Sequence, residues 1–151
     1  MPLKDLLSRE RIAVLDQPLD SAAVLDAAAR LLSLDQPDHA APIAACLRQR
    51  EQLGSTAIGH GVAIPHGRCN AFAGARAAFL RLSRPVDFDA ADGEPVDLVY
   101  AMTVPQHFTQ QHLQMLSELA EQFADEAFRD ALRACEDADA LAGLLLDGRP
   151  G

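Results

Sequence analysis

His66 closes the tetrad Ile64-Pro65-His66-Gly67, near the end of a stretch, Gly54 to Arg68, that holds four of the nine glycines of the chain, Ser55, Thr56 and a second histidine, His60. An imidazole near its ordinary pKa of ~6.5 is largely neutral at pH 7 and keeps one ring nitrogen with a free lone pair. That lone pair suits a nucleophile, a general base or a metal ligand. The ordinary occupation of a loop histidine is to hydrogen-bond its neighbours, and the surroundings are what set His66 apart. Glycines permit backbone conformations and close approaches that side chains forbid. Pro65 fixes its own φ and pushes Ile64 into an extended conformation, as the tail of a short run Val62-Ala63-Ile64. The sequence therefore predicts an accessible His66 side chain at a strand end, on a well-fixed backbone.

Other chemistries read less well. Gly54 and Gly59 have the spacing that opens a nucleotide-binding loop, but His60-Gly61 stands where Lys-Ser/Thr is needed to reach the β- and γ-phosphates. His60, His66, Cys69, His107 and His112 lack the spacing of a metal-binding helix and have no obvious acidic partner, so no metal is called for. A Ser55–His66 hydrolytic pair would need a strand-to-helix nucleophile elbow and an orienting carboxylate, and neither can be named.

The run Arg50 to Arg68, REQLGSTAIGHGVAIPHGR, resembles the signature of the mannitol/fructose-type enzyme IIA domains of the bacterial phosphoenolpyruvate-dependent phosphotransferase system. The resemblance extends to Pro85-Val86-Asp87-Phe88, Val96-Asp97-Leu98, Val104-Pro105 and His112-Leu113, and is nearest to the stand-alone nitrogen-regulatory branch. It implies a phosphoryl group accepted on His66 from a histidine phosphocarrier protein, nitrogen-branch by preference, with Arg50 and His112 completing the site. Neither ring nitrogen of His66 is singled out. Ser55, Thr56 and Gly67 then bond the loop backbone or the phosphate, and His60 fills a variable, solvent-facing position. No metal or organic cofactor is implied. The same resemblance leaves open a sugar-transport phosphocarrier, and a regulator that binds without chemistry is the alternative from another class.

These residues need elements to hold them. A helix is expected over Met1–Arg9 and a strand over Ile12–Leu15. A second helix, capped by Asp20 or Ser21, has Val24, Leu25, Ala28, Leu31 and Leu32 at helical spacing. A third starts with Pro42 in its first turn, turns Ile43, Cys46 and Leu47 inward and stops at Gly54, which puts Arg50 in its last turn, where a cation also favours the helix dipole. Ala75–Leu82 and Val86–Phe88 read as two strands, and the near-continuous apolar run Pro95–Val104 as a central strand buried on both faces. Beyond Pro105, Thr109 is a candidate N-cap for a helix whose face carries His112, Leu116, Leu119 and Phe123, with Leu113 and Ala120 beside them. A histidine in that first turn is either a donor to an anion at the helix N-terminus or a structural, partly buried residue. Helices over 126–133 and 137–146 close the chain before Gly148. The fold class is α/β, a small mixed β-sheet flanked by helices, with strand order supplied by the resemblance alone.

A length of 151 residues with 49% hydrophobic content suits one domain, 1–151, with a real core. Thirteen basic against twenty-two acidic residues give a formal net charge of −9, which repels nucleic acid and anionic membrane surfaces and favours a small partner with a basic face. Three cysteines without metal-type spacing, no leader-like N-terminus and no apolar run near ~20 residues predict a reduced, cytoplasmic protein without membrane insertion. A chain of this size without a transporter domain must diffuse to its targets, so its phosphoryl group is expected to signal to regulatory target proteins.

Overall fold

The computed structural model describes residues 5–18, 20–107 and 110–147. The elements in chain order are β1 (Ile12–Leu15), α1 (Ser21–Leu32), α2 (Ala40–Leu53), β2 (Ala57–Gly59), β3 (Val62–Ala63), β4 (His66–Arg68), β5 (Arg76–Val86), β6 (Val96–Val104), α3 (Gln110–Phe123), α4 (Glu126–Ala134) and α5 (Ala138–Asp147). Short 3-10 turns, Arg9–Arg11 and Pro37–His39, precede β1 and α2.

The strands form one six-stranded mixed sheet in the order β1-β5-β6-β3-β2, with β4 also paired to β6. β5 and β6 are antiparallel, whereas β1 runs parallel to β5 and both β3 and β4 run parallel to β6. Because side chains alternate along a strand, the two faces of β6 feed two separate cores. Leu98, Tyr100 and Met102, with Ala77 and Phe79 of β5, pack against Leu119, Phe123, Leu132, Leu141 and Leu145 of α3, α4 and α5. Val99 and Ala101, with Ala78, Leu80 and Leu82, pack against Val24, Leu25, Ala28, Leu32, Ile43 and Leu47 of α1 and α2. Truncating a residue such as Phe123 to Ala would cost about 3–5 kcal/mol in this setting. The central strand is thus buried on both faces, as the near-continuous apolar run implied.

Helix ends follow their local chemistry. Asp20 caps α1 by accepting from the backbone N–H of Ala23 at 2.8 Å, and Asp125 caps α4 by accepting from Ala127 at 3.0 Å. The buried Arg129 donates from one nitrogen to the carbonyls of Phe123 and Ala124, both at 2.9 Å, and so satisfies the C-terminal end of α3.

Four expectations change. The glycine-rich stretch, expected as a loop with one short extended run Val62-Ala63-Ile64, holds three short strands: β2 pairs with β3, and β3 and β4 follow each other along β6. The ladder bridges Pro65, because the acceptor a proline keeps is used: its carbonyl takes the N–H of Met102 at 2.9 Å. In place of the strands expected at Ala75–Leu82 and Val86–Phe88, one strand, β5, runs from Arg76 to Val86, with a register shift in its pairing with β6 between Arg81 and Val86, and Asp87 and Phe88 lie beyond its end. His66 is buried, at 8% exposure, and is not an open loop side chain, because it sits inside β4 under the first turn of α3. Leu113, expected on the inward face of α3, is 68% exposed. Residues 1–4 of the expected N-terminal helix, the candidate cap Thr109 and Gly148 lie outside the described residues.

Candidate functional site

The first turn of α3, the last turn of α2 and strand β4 meet around a cavity of about 610 Å³. Arg50, His66, Gly67 and His112 line it, together with Cys46, Gln49, Leu53, Arg68, Leu113 and Leu116. His66 is registered opposite Met102 of β6, and Arg68 opposite Val104. Two residues apart on a strand, they present their side chains to the same face. Gly67 points the other way, toward α2. A Cβ there would lie 2.5 Å from Cys46 Sγ, so the missing side chain lets α2 approach β4 and carry Arg50 to the site. Arg50 is tied by a 2.9 Å hydrogen bond from Nη1 to the carbonyl of Gly54 at the end of α2.

His66 Nδ1 lies 2.5 Å from the carbonyl oxygen of Ile64. A carbonyl can only accept, so Nδ1 carries the proton and the lone pair resides on Nε2. The rings of His66 and His112 are 5.1 Å apart at their centroids and inclined by 61°. Both imidazoles are held neutral. Desolvation lowers the pKa of His66, aided by the charge of Arg50 and opposed by the Ile64 hydrogen bond. His112 is pushed down to about 4 by desolvation first, then by His66, Arg68 and Arg50. Its Nδ1 is buried with no hydrogen-bond partner among the described residues.

Ser55 and Thr56 do not line the cavity. Ser55 donates its hydroxyl to the carbonyl of Phe88 and accepts the N–H of Ala57 at 3.1 Å. Thr56 gives its hydroxyl and its backbone N–H to the two carboxylate oxygens of Glu51, at 2.6 and 3.0 Å. These bonds fasten the loop after α2. His60 is exposed in a separate cleft; its N–H reaches Asp92 at 3.0 Å and its carbonyl takes Arg133 Nη2 at 2.6 Å. No three His, Cys, Asp or Glu side chains among the described residues could hold a metal ion. The sequence reading missed Arg68 and Glu51. Arg68 was within reach of the i, i+2 rule had residues 66–68 been read as a strand, and Glu51 adjoins Arg50 in the Arg-Glu pair.

The family described as "Phosphoenolpyruvate-dependent sugar phosphotransferase system, EIIA 2" matches residues 5–147. The chain belongs to that family. Within it, the chain is similar to a nitrogen regulatory protein of Bradyrhizobium diazoefficiens, 38% identical over 146 residues that cover 96% of this chain and 95% of the relative. A nitrogen regulatory protein of Pseudomonas aeruginosa is 40% identical over 129 residues, 85% of this chain and 84% of the relative. The crystal structure of nitrogen regulatory protein IIA-Ntr from Neisseria meningitidis superimposes with a TM-score of 0.85 at 37% identity, over 96% of this chain and 99% of that one. Mannitol IIA of Escherichia coli, at 21% identity and a TM-score of 0.74 over 92% and 98% of the two chains, shares the EIIA 2 fold. The mixed sheet flanked by helices is therefore the family's architecture. Among the described residues no helix is long and apolar enough to cross a membrane.

Proposed function

We propose that the protein accepts a phosphoryl group on Nε2 of His66 from a phosphorylated histidine carrier protein, and that the modified and unmodified forms engage regulatory partners differently. The observation that carries this reading is the Ile64 carbonyl at His66 Nδ1, which leaves Nε2 as the nucleophile beside the cavity. As Nε2 attacks phosphorus, the bond to the donor's ring nitrogen breaks and positive charge grows on the His66 ring. The Ile64 carbonyl, 2.5 Å from Nδ1, stabilises that charge without taking the proton. In a loose transition state the charge spreads over three equatorial oxygens, so catalysis consists of positioning and electrostatic stabilisation. Arg50 offers a planar cationic fork for those oxygens, and neutral His112 offers one N–H. Neither role calls for a metal or an organic cofactor.

The regulatory half rests on similarity to nitrogen regulatory proteins over nearly the whole chain. A phosphoryl group adds about −1.5 to −2 charge at the cavity mouth, which a partner must desolvate or pair. The test couples phosphoenolpyruvate to the nitrogen-branch or the sugar-branch carrier set. It then recovers partners from cell extract with unmodified protein, phosphorylated protein and His66→Ala. Faster loading by the nitrogen-branch carrier and distinct partner sets are expected. Identical partner sets with rapid onward transfer to a sugar-specific IIB protein would favour transport instead.

A further inference from the structure

Behind the wall of the same cavity lie two neighbouring thiols. Cys46 lies on α2 one helical turn before Arg50 and lines the cavity with His66. Cys69 is the first residue after β4, where its N–H prolongs the ladder to β6 by bonding the carbonyl of Val104 at 2.9 Å. It borders the next pocket with His39, Pro42 and Ile43. Cys46 Sγ reaches the carbonyl of Arg68, the residue before Cys69, at 3.8 Å, and Cys69 faces Ile43, three residues before Cys46 on α2, so the two thiols are neighbours. The absent side chain of Gly67 makes this possible, since a Cβ would lie 2.5 Å from Cys46 Sγ. Both cysteines are free and half-buried. With no third metal-type ligand beside them among the described residues, the pair does not make a metal site.

The two sulfurs are chemically unequal. The neighbouring Cys69 thiol lowers the pKa of Cys46 to about 7, against opposing desolvation, and Cys46 in turn raises that of Cys69. A thiolate is the reactive form of cysteine, so Cys46 is the sulfur that reacts first and Cys69 the one that resolves. Cys135 provides an internal contrast. It is buried, its Sγ donates to Ala131 at 3.3 Å, and desolvation raises its pKa.

We propose that Cys46 and Cys69 are a reversible thiol–disulfide pair, oxidised by hydrogen peroxide, and that closing the bond clamps α2 to β4 and slows phosphoryl uptake at His66. Cys46 thiolate attacks the peroxide oxygen, the O–O bond breaks, and Cys46 sulfenic acid forms with release of water once the leaving oxygen is protonated. Cys69 then loses its proton, its sulfur attacks the Cys46 sulfur, and hydroxide leaves to take up that proton as a second water. Two thiols are oxidised and one peroxide is reduced. Bringing the neighbouring sulfurs to a bond of about 2.05 Å draws Cys46 away from its seat against Gly67. Arg50, one turn further along α2, moves with it. The effect on uptake rests on the phosphoryl-transfer reading; the disulfide does not.

The full chain is treated with hydrogen peroxide, denatured, alkylated and mapped by mass spectrometry. The expected result is a Cys46–Cys69 cross-linked peptide lighter by about 2 Da, reversed by dithiothreitol, with Cys135 still alkylated. In Cys69→Ser a sulfenic acid at Cys46 is trapped by dimedone, and in Cys46→Ser no sulfenic acid forms at Cys69. Persistent alkylation of both Cys46 and Cys69, or loss of Cys135 at the same rate, overturns the pair. In parallel, phosphoryl uptake by the oxidised chain should fall by about tenfold or more and recover with reductant. A disulfide that leaves uptake unchanged overturns the clamp. Absence of uptake in the reduced chain refutes the phosphoryl-transfer reading while the thiol map still decides the disulfide.

Discussion

The imidazole of His66 and the carbonyl of Ile64, two residues earlier in the same edge of the sheet, are joined by a 2.5 Å hydrogen bond that fixes the ring's proton on Nδ1. Pro65 between them removes a competing N–H and holds the backbone that aims the carbonyl back at the ring. On the proposed function the modified nitrogen is then Nε2. Nitrogen-15 spectra of the resting protein should show Nδ1 protonated and Nε2 bare, and phosphorylation should shift Nε2. A phosphorus coupling to Nδ1 instead would mean that the hydrogen bond breaks before transfer.

Arg50 and His112 reach the cavity from different helices, α2 and α3, and their proposed work is on the phosphoryl oxygens rather than on the core. Replacing either with Ala should slow uptake about a hundredfold, equivalent to roughly 3 kcal/mol, with little change in melting temperature. Arg50→Lys should recover only part of the rate, because an ammonium cannot match two oxygens at once. Stopped transfer assays and thermal melts on the same preparations separate the two roles: near-normal transfer removes the residue from the site, and collapsed stability makes it structural.

The pH dependence follows from desolvation of the two rings. His66 titrates below its ordinary value and His112 near 4, so both stay neutral at pH 7 and the uptake rate should show no inflection at ~6.5. Protonating His66 removes the attacking lone pair, so the rate falls only at more acidic pH. Stability has the same sign. The unfolded chain binds protons at ~6.5 and the folded one at lower pH, so stability is full above ~6.5 and declines as pH falls toward about 4. His112→Gln should flatten part of that acid limb in denaturant titrations. An unchanged limb would show that His112 is solvated.

Much of the fold was legible because it rests on strong periodicities. The apolar run ending at Val104 announced a strand buried twice over, and the Asp20-Ser21 pair announced the start of α1, where Asp20 is the cap. The site was legible in part. His66 drew notice through its glycines and Pro65, but its burial was not, because that depends on α3 folding across β4 from more than forty residues away. The short strands β2, β3 and β4 have three, two and three residues, too few for alternation to register. Their ladder is set by β6, so only tertiary pairing reveals them. The partners of Ser55 and Thr56, Phe88 and Glu51, were likewise hidden, since a hydroxyl's sequence context does not say whether it faces a ligand or its own loop.

Gly67 tests the packing between β4 and α2 directly. Gly67→Ala places a methyl 2.5 Å from Cys46 Sγ and should destabilise the fold by about 1–3 kcal/mol while slowing uptake at His66. Adding Cys46→Ala should restore most of the stability, because the overlap is with that sulfur. A double variant no more stable than the single one would place the strain in the backbone.

The central claim is that His66 receives the phosphoryl group, and acid and base lability of the product decides it. Phosphoenolpyruvate labelled with phosphorus-32 is passed through the general carrier proteins to the wild-type chain and to His66→Ala. The account predicts stoichiometric label on the wild type that is lost in acid and retained in base, as a phosphoramidate behaves, and none on His66→Ala. Stoichiometric acid-labile label on His66→Ala would contradict it.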